Sequence, residues 1–119
     1  MLGFPMAIDA PPIAVIDGDT FRLGPETIRI ENIDTPEMGR GAKCDAEANL
    51  ATLAKARLSA LLKGSEGLKI TRLKLDRYGR TLALVSVRGG DVGVALISEH
   101  LAVPWGGRRH SWCGKPDRK

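Results

Sequence analysis

The sequence predicts a mainly β domain with α-helices (α+β), in which five strands form a barrel and two helices pack on it. Short β-branched segments that end in glycine, proline or aspartate indicate the strands. A segment at residues 46–63 repeats leucine and alanine at helical spacing, and it falls between the third and fourth strands. This is the element order of a five-stranded OB-fold barrel, whose closure removes exposed strand edges.

The first three strands are predicted as a meander over residues 13–17, 20–23 and 27–33. Asp17-Gly18-Asp19-Thr20 separates the first two strands, and Asp-Gly is a strong signal for a turn or bulge. Gly24-Pro25-Glu26 turns the chain into the third strand. That strand ends ahead of a proline, which has no N–H to donate to a ladder.

The predicted helix follows Asp45, which is a suitable N-cap residue. Glu47 lies in the first turn, where a negative charge interacts favourably with the helix dipole. Leucine and alanine then line one face as far as Lys63-Gly64, a common helix end. The sequence therefore predicts one amphipathic helix over residues 46–63.

The second half of the chain predicts two further strands and a short helix. The fourth strand covers residues 68–75, and its apolar positions change phase between Ile70 and Leu73, which indicates a bulge. The last strand covers residues 81–87. Apolar residues at helical spacing then predict a helix over residues 91–100.

The length of 119 residues and the 43% hydrophobic content suit one domain with one core. We expect an N-terminal arm at residues 1–12, the domain at residues 13–105 and a basic tail at residues 106–119. The formal charge of +4 favours polyanionic partners only slightly, and 4% aromatic content excludes a broad base-stacking platform. No apolar run approaches the roughly 20 residues of a membrane span.

One candidate metal site consists of Asp19, Asp34 and the carbonyl oxygen of Thr35, which follow predicted strands. Carboxylate and backbone oxygens without nearby histidine or cysteine suit a hard cation, Ca²⁺ or Mg²⁺, better than zinc. The alternative is structural, because aspartate is common in turns. On spacing alone the structural interpretation is the stronger one.

Two arginines are candidates for binding phosphate. Arg29 and Arg80 each carry a planar guanidinium group, which donates two hydrogen bonds to phosphate oxygens and stabilises a phosphoryl transition state. For Arg29 taken alone, a surface charge on an edge strand is the stronger interpretation. For Arg80 taken alone, a hairpin ion pair with Asp76 is the stronger interpretation.

Glu37, one residue after Pro36, is a candidate for activating or ordering a water molecule. The alternative is a solvated acid on the approach to the helix. Glu31 and Glu47 are rival carboxylates, but Glu47 is explained by the helix start.

The two cysteines, Cys44 and Cys113, either form one disulfide or remain free thiols. A partial zinc site with His110 is a further alternative, although it lacks a fourth ligand and its spacing fits no usual pattern. A disulfide that ties the basic tail to the loop before the helix is the better interpretation.

Several motifs occur in one order along the chain. They are Asp17-Gly18-Asp19-Thr20, Ile28-Arg29, Ile33-Asp34-Thr35-Pro36-Glu37, Glu47-Ala48 and Asp76-Arg77-Tyr78-Gly79-Arg80. Together they resemble the staphylococcal nuclease (thermonuclease) family over residues 13–105. The resemblance implies an OB-fold barrel and the calcium-dependent hydrolysis of phosphodiester bonds in DNA, RNA or both.

The resemblance also implies roles for individual residues at the metal. Asp19, Asp34 and the Thr35 carbonyl match the calcium ligands of the family, with Mg²⁺ as a possible substitute. Asp17 matches a residue that supports these ligands without binding the ion.

Further matches concern the reaction and the substrate. Glu37 matches the general base that accepts a proton from the attacking water. Arg29 and Arg80 match the pair that binds phosphate, while Tyr78 and Arg77 match residues that contact the nucleotide. The rival hypothesis from another class is an OB-fold module that binds nucleic acid or protein without catalysis.

The C-terminal tail departs from the family pattern, because no third helix fits after Trp105. Similar tails with a cysteine pair occur in exported bacterial members, which points to an oxidising compartment. We therefore expect an exported monomer, periplasmic or secreted, whose signal peptide is absent from this chain, while a cytoplasmic location stays open.

Overall fold

The computed structural model describes residues 12–64 and 66–114. The expected N-terminal arm, apart from Pro12, and the last five residues of the expected basic tail lie outside the described residues. In chain order the elements are β1 (Ile13–Asp17), β2 (Thr20–Leu23), β3 (Glu26–Ile30), β4 (Ile33–Asp34), a 3₁₀ turn (Gly39–Gly41), α1 (Asp45–Gly64), β5 (Lys69–Leu75), β6 (Thr81–Val87), β7 (Gly90–Asp91), α2 (Val92–Ser98) and β8 (Val103–Pro104).

The main sheet has the strand order β1-β2-β3-β6-β5, and β7 pairs with β6. Neighbouring strands run antiparallel except β3 and β6, which run parallel. This confirms the α+β prediction with two helices and agrees with the strand order of an OB-fold. The barrel is not closed, because β1 and β5 lie at the two ends of the pairing order in the described part of the chain. Helix α1 packs against β1.

The predicted third strand is shorter than expected and ends at Ile30. A turn at Glu31-Asn32 interrupts it, and the chain resumes as β4, which pairs with β8. The side chain of Arg29 donates to the carbonyl oxygens of Ile30 and Ile33 on either side of the turn. At the break, the Arg29 side chain therefore supplies the hydrogen bonds that these two carbonyl groups would receive from a neighbouring strand if β3 were continuous.

The central helix is confirmed and extends one residue beyond the prediction at each end. Its small and apolar buried residues recur at intervals of three and four, which places them on one face (Ala51, Ala54, Leu58 and Leu62). They pack into a core with residues of the sheet and of α2, including Phe21, Ile28, Ile30, Val85 and Leu96. Neither helix of the described residues has the length and apolarity needed to cross a membrane.

The remaining strands and the second helix follow the predictions closely. The predicted bulge in β5 is confirmed as a register shift between Arg72 and Lys74. Helix α2 is shorter than expected, because Asp91 is its N-cap and accepts a hydrogen bond from the Val94 N–H at 2.9 Å. The helix ends before His100, which has a positive φ of 64°.

Glu26 joins three strands through its carboxylate. Arg72 of β5 donates to both carboxylate oxygens, at 2.9 and 2.7 Å, and the Thr81 hydroxyl of β6 donates to one of them at 2.8 Å. These hydrogen bonds, with that of Arg72 the larger, lower the pKa of Glu26 from its ordinary 4.5 to about 2. The pair therefore favours the ionised carboxylate in the folded chain.

Replacing Glu26 with glutamine should lower the free energy of unfolding at pH 7, because Arg72 loses its charged partner. The pKa of Glu26 is lower in the folded chain than in the unfolded chain, so the carboxylate stabilises the fold above its ordinary pKa of 4.5. That contribution is lost as the pH falls towards the folded-state pKa of about 2.

Urea denaturation should show the free energies of unfolding of the wild type and Glu26→Gln converging as the pH falls over this range. Glu66→Gln, which alters an exposed pair with Arg88, should stay close to wild type throughout. A Glu26→Gln deficit that is constant with pH would contradict the assignment.

Candidate active site

The carboxylate of Asp34 lies at the end of β4 and is fully buried. Both of its oxygens accept hydrogen bonds from the tail that follows β8. The Arg109 guanidinium donates to Oδ1 through Nη1 at 2.7 Å, and the backbone N–H of His110 donates to Oδ2 at 2.7 Å. Because burying an unpaired carboxylate is costly, these donors offset much of the cost of placing Asp34 in the interior.

The same guanidinium contacts two further oxygens. Its Nη2 donates to the carbonyl oxygen of Thr35 at 3.1 Å, and its Nη1 lies 2.8 Å from Oε2 of Glu37. Arg109 therefore joins three of the groups that the sequence singles out. In the sequence Arg109 is only one residue of a basic tail, since nothing in the local pattern distinguishes it from its neighbour Arg108.

A disulfide between Cys44 and Cys113 holds the tail in this position. This confirms the predicted pairing, and the described residues contain no free cysteine. The partial zinc site with His110 is wrong, because both sulfur atoms are committed to the disulfide. His110 instead packs edge-on against Trp112, with the ring centroids 4.6 Å apart.

Arg29 is largely buried beside Asp19, with 12% and 9% of their side chains exposed. Its Nη2 lies 3.4 Å from Oδ2 of Asp19, and its Nη1 donates to the Ile33 carbonyl at 3.1 Å. The interpretation of Arg29 as a surface charge is therefore wrong. Because Ile33 adjoins Asp34, Arg29 connects the Asp19 turn to the strand that carries Asp34.

Arg29 and Arg80 line one cavity of about 250 Å³, together with Glu31, Asp76, Leu82 and Trp105. The parallel pairing of β3 with β6 explains this, since Arg29 stands opposite Leu82, two residues beyond Arg80. The Arg29 guanidinium lies 5.4 Å from the centroid of the Trp105 ring. The hairpin alternative for Arg80 is also realised, because its Nε donates to Asp76 at 2.8 Å.

Tyr78 stands at the tip of the β5–β6 connection and is 72% exposed. The guanidinium groups of Arg77 and Arg80 lie 5.5 and 5.4 Å from its ring centroid. An exposed aromatic ring between two cations is suited to a contact with a nucleotide.

Asp17 belongs to the same group of acids. The pKa of Asp17 is raised to about 7, and burial is the largest cause. The side-chain hydrogen bond and the negative charge of Asp19 also raise it, and the charge of Glu37 raises it least. The backbone N–H of Asp19 donates to Asp17 at 3.2 Å, which opposes the shift.

A sequence model of the family described as "Staphylococcal nuclease homologue" matches residues 27–111. The chain belongs to the staphylococcal nuclease family. No curated protein matches the sequence significantly. Members of the family are typically nucleases and are generally calcium-dependent. The match extends through Arg109, so part of the tail belongs to the domain as the family defines it.

The Asp34 carboxylate and the Thr35 carbonyl share one guanidinium partner, although no group of three or more histidine, cysteine, aspartate or glutamate residues forms a metal cluster within residues 12–64 and 66–114. The donors fit a hard cation in their chemistry, since carboxylate and carbonyl oxygens are the ligands that Ca²⁺ takes in proteins. They fit it in charge as well, because a guanidinium cation already binds Asp34 and the Thr35 carbonyl.

Gly18 allows the Asp19 turn to approach the rest of the site. A Cβ atom at this position would lie 2.8 Å from the Cβ of Ala54 and 3.1 Å from the Cβ of Thr35. The first distance is shorter than real Cβ contacts and the second is tight, so a larger residue would require the turn, Ala54 or both to shift.

Glu47 fixes the loop that carries Glu37. Its buried carboxylate accepts hydrogen bonds from the backbone N–H groups of Glu37 at 2.7 Å and Lys43 at 2.9 Å. The helix start alone explains Glu47 in the sequence, where no signal reveals this contact, which spans ten residues of chain. Glu47 therefore positions the Glu37 backbone, and its oxygens are already occupied.

Replacing Glu47 with glutamine should lower the free energy of unfolding by about 1–3 kcal/mol, because an amide NH₂ would face a buried backbone N–H. Chemical denaturation measures the change. The matched control is Asp45→Asn, an exposed acid in the same first turn, which should cost less. Equal losses in the two variants would mean that Glu47 acts only through the helix dipole.

Proposed function

We propose that this chain is a calcium-dependent phosphodiesterase that hydrolyses DNA, RNA or both. The observation that carries the proposal is the cavity shared by Arg29 and Arg80, with the buried Asp19 carboxylate bound to Arg29 on one side. Two guanidinium groups on one cavity support the proposal, because guanidinium is a planar donor that binds phosphate oxygens through two hydrogen bonds. Membership in a family of nucleases supports the same conclusion.

Asp19, Asp34 and the Thr35 carbonyl are the proposed metal ligands, and Asp17 is proposed to support them through its contact with the Asp19 backbone. A bound Ca²⁺ would supply positive charge that polarises a phosphate oxygen and a water molecule. Magnesium is the proposed alternative ion.

The remaining proposed roles belong to Glu37, to the two cavity arginines and to the residues at the tip of the β5–β6 connection. Glu37 accepts a proton from the attacking water, because its carboxylate is 39% exposed and its backbone is held by Glu47. Arg29 and Arg80 donate to the phosphate oxygens as charge develops on them. Tyr78 and Arg77 contact the nucleotide from the hairpin tip.

A second candidate function is binding of nucleic acid without hydrolysis. The observation that favours it is the ion pair of Glu37 with Arg109, which engages the proposed base. A cleavage assay on single-stranded DNA with added Ca²⁺ separates the two functions, since a binding module retains the DNA without shortening it.

We also propose that the protein works in an oxidising, exported location. The disulfide between Cys44 and Cys113 supports this, because such bonds persist outside the reducing cytosol.

Replacing either arginine that is proposed to bind phosphate should lower the rate of DNA cleavage by roughly 10²–10³-fold. This is the usual effect of losing one hydrogen-bond donor to a transition state. The variants are Arg80→Ala and Arg29→Lys, the second chosen because lysine retains a charge beside Asp19. Arg88→Ala is the control, since its side chain is 77% exposed and pairs with Glu66 away from the cavity. Circular dichroism verifies folding. Wild-type rates in both test variants would refute the assignment.

Chelation should abolish cleavage, and added Ca²⁺ should restore it, because the carboxylates near Asp34 lack the polarising charge without an ion. The measurement is the cleavage rate of labelled single-stranded DNA in EDTA and after titration with Ca²⁺ or Mg²⁺. Cleavage that persists in excess chelator would remove the metal from the proposed mechanism.

A further inference from the structure

The guanidinium of Arg109 binds the oxygens of Asp34, Thr35 and Glu37 at 2.7 to 3.1 Å. These are two of the proposed metal ligands and the proposed base. We propose that Arg109 is a tethered cation that competes with the metal ion for the active site. The disulfide at Cys113 is the tether that keeps Arg109 close to these oxygens. The inference rests on the proposed function, because it concerns the same oxygen atoms.

Arg109 and a metal ion exclude one another on grounds of space and charge. Both carboxylate oxygens of the buried Asp34 are already occupied, one by Arg109 and the other by the His110 N–H. An ion bound to Asp34 and the Thr35 carbonyl would need the positions that the guanidinium nitrogens fill. The guanidinium and an ion on the same oxygens would also repel one another as like charges beside the buried Asp34. Metal binding therefore requires that Arg109 withdraw.

The disulfide makes the competition intramolecular. Cys113 lies four residues after Arg109, and its partner Cys44 directly precedes α1, which packs on the sheet. A short tether of this kind keeps a group at a high effective concentration, on the order of millimolar. Arg109 therefore returns readily after each withdrawal, and it lowers the apparent affinity of the site for an ion.

The tail also has the features of a segment that can leave. The Arg109 side chain is 43% exposed, and Gly106-Gly107 precede it, with Gly107 at a φ of 91°. The indole N–H of Trp112 is buried without an acceptor among the described residues, which costs free energy in the closed position. The ion pairs at Asp34 and Glu37 therefore hold the Arg109 side chain in place, while the disulfide only keeps the segment nearby.

Calcium titration by calorimetry tests the competition on the full chain with its disulfide intact. Arg109→Gln removes the charge and should tighten Ca²⁺ binding on the order of tenfold. Arg108→Gln is the matched control, being the adjacent exposed arginine, and should bind like wild type. The double variant Cys44→Ser/Cys113→Ser retains Arg109 but loses the tether. Its affinity for Ca²⁺ should lie between those of wild type and Arg109→Gln.

The outcomes separate this proposal from the proposed function. Binding by Arg109→Gln that equals or is weaker than wild type, together with calcium-dependent cleavage, would overturn the competition and leave the nuclease in place. Tighter binding by Arg109→Gln without cleavage in any variant would support the competition and overturn the nuclease.

Hydrogen exchange supplies a readout that does not depend on affinity. The His110 N–H donates to Asp34 in the closed position, so its exchange should accelerate when saturating Ca²⁺ displaces the tail. The same N–H should exchange faster in Arg109→Gln without calcium. Unchanged protection of His110 in both experiments would overturn the proposal.

Discussion

A buried carboxylate needs donors around it, and the arrangement near Asp34 follows from that requirement. The side chain of Asp34 is 1% exposed, so neither oxygen can rely on water. Arg109 and the His110 N–H meet the requirement from a segment more than seventy residues away in the chain. The position of the tail, and with it the position of the disulfide, is tied to this one charge.

The site has two halves that the fold brings together by different means. Arg29 with Asp19 belongs to the sheet, where the parallel pairing of β3 and β6 also brings Arg80 to the same cavity. The oxygens of Asp34 and Glu37 belong to the chain after the sheet turns, and Arg109 binds them. The first half is placed by the main sheet, whereas the second half lies at the short β4–β8 pairing and is held by ion pairs and a cross-link. The second half is therefore the part that an ion or a change in the tail can alter.

Much of the fold could be predicted because it is encoded locally. Periodicity places α1 to within one residue, and the phase change in β5 reveals its bulge. The unclosed barrel could not be predicted, since pairing between β1 and β5 depends on strand bending over the whole sheet. The sequence also could not assign Arg109 or the long-range role of Glu47. Both act through contacts set by tertiary structure, and their local patterns match those of ordinary surface charges.

The backbone of Glu37 is held by helix α1 and not by the tail. Its N–H donates to Glu47 on α1, while only its carboxylate contacts Arg109. Gly41 leaves room beside that carboxylate, since a Cβ there would approach Oε1 to 2.9 Å. When the arginine departs, the glutamate needs only to rotate about its own torsions on a stationary main chain. Its reorientation then belongs to the time scale of rotamer exchange rather than of loop rearrangement.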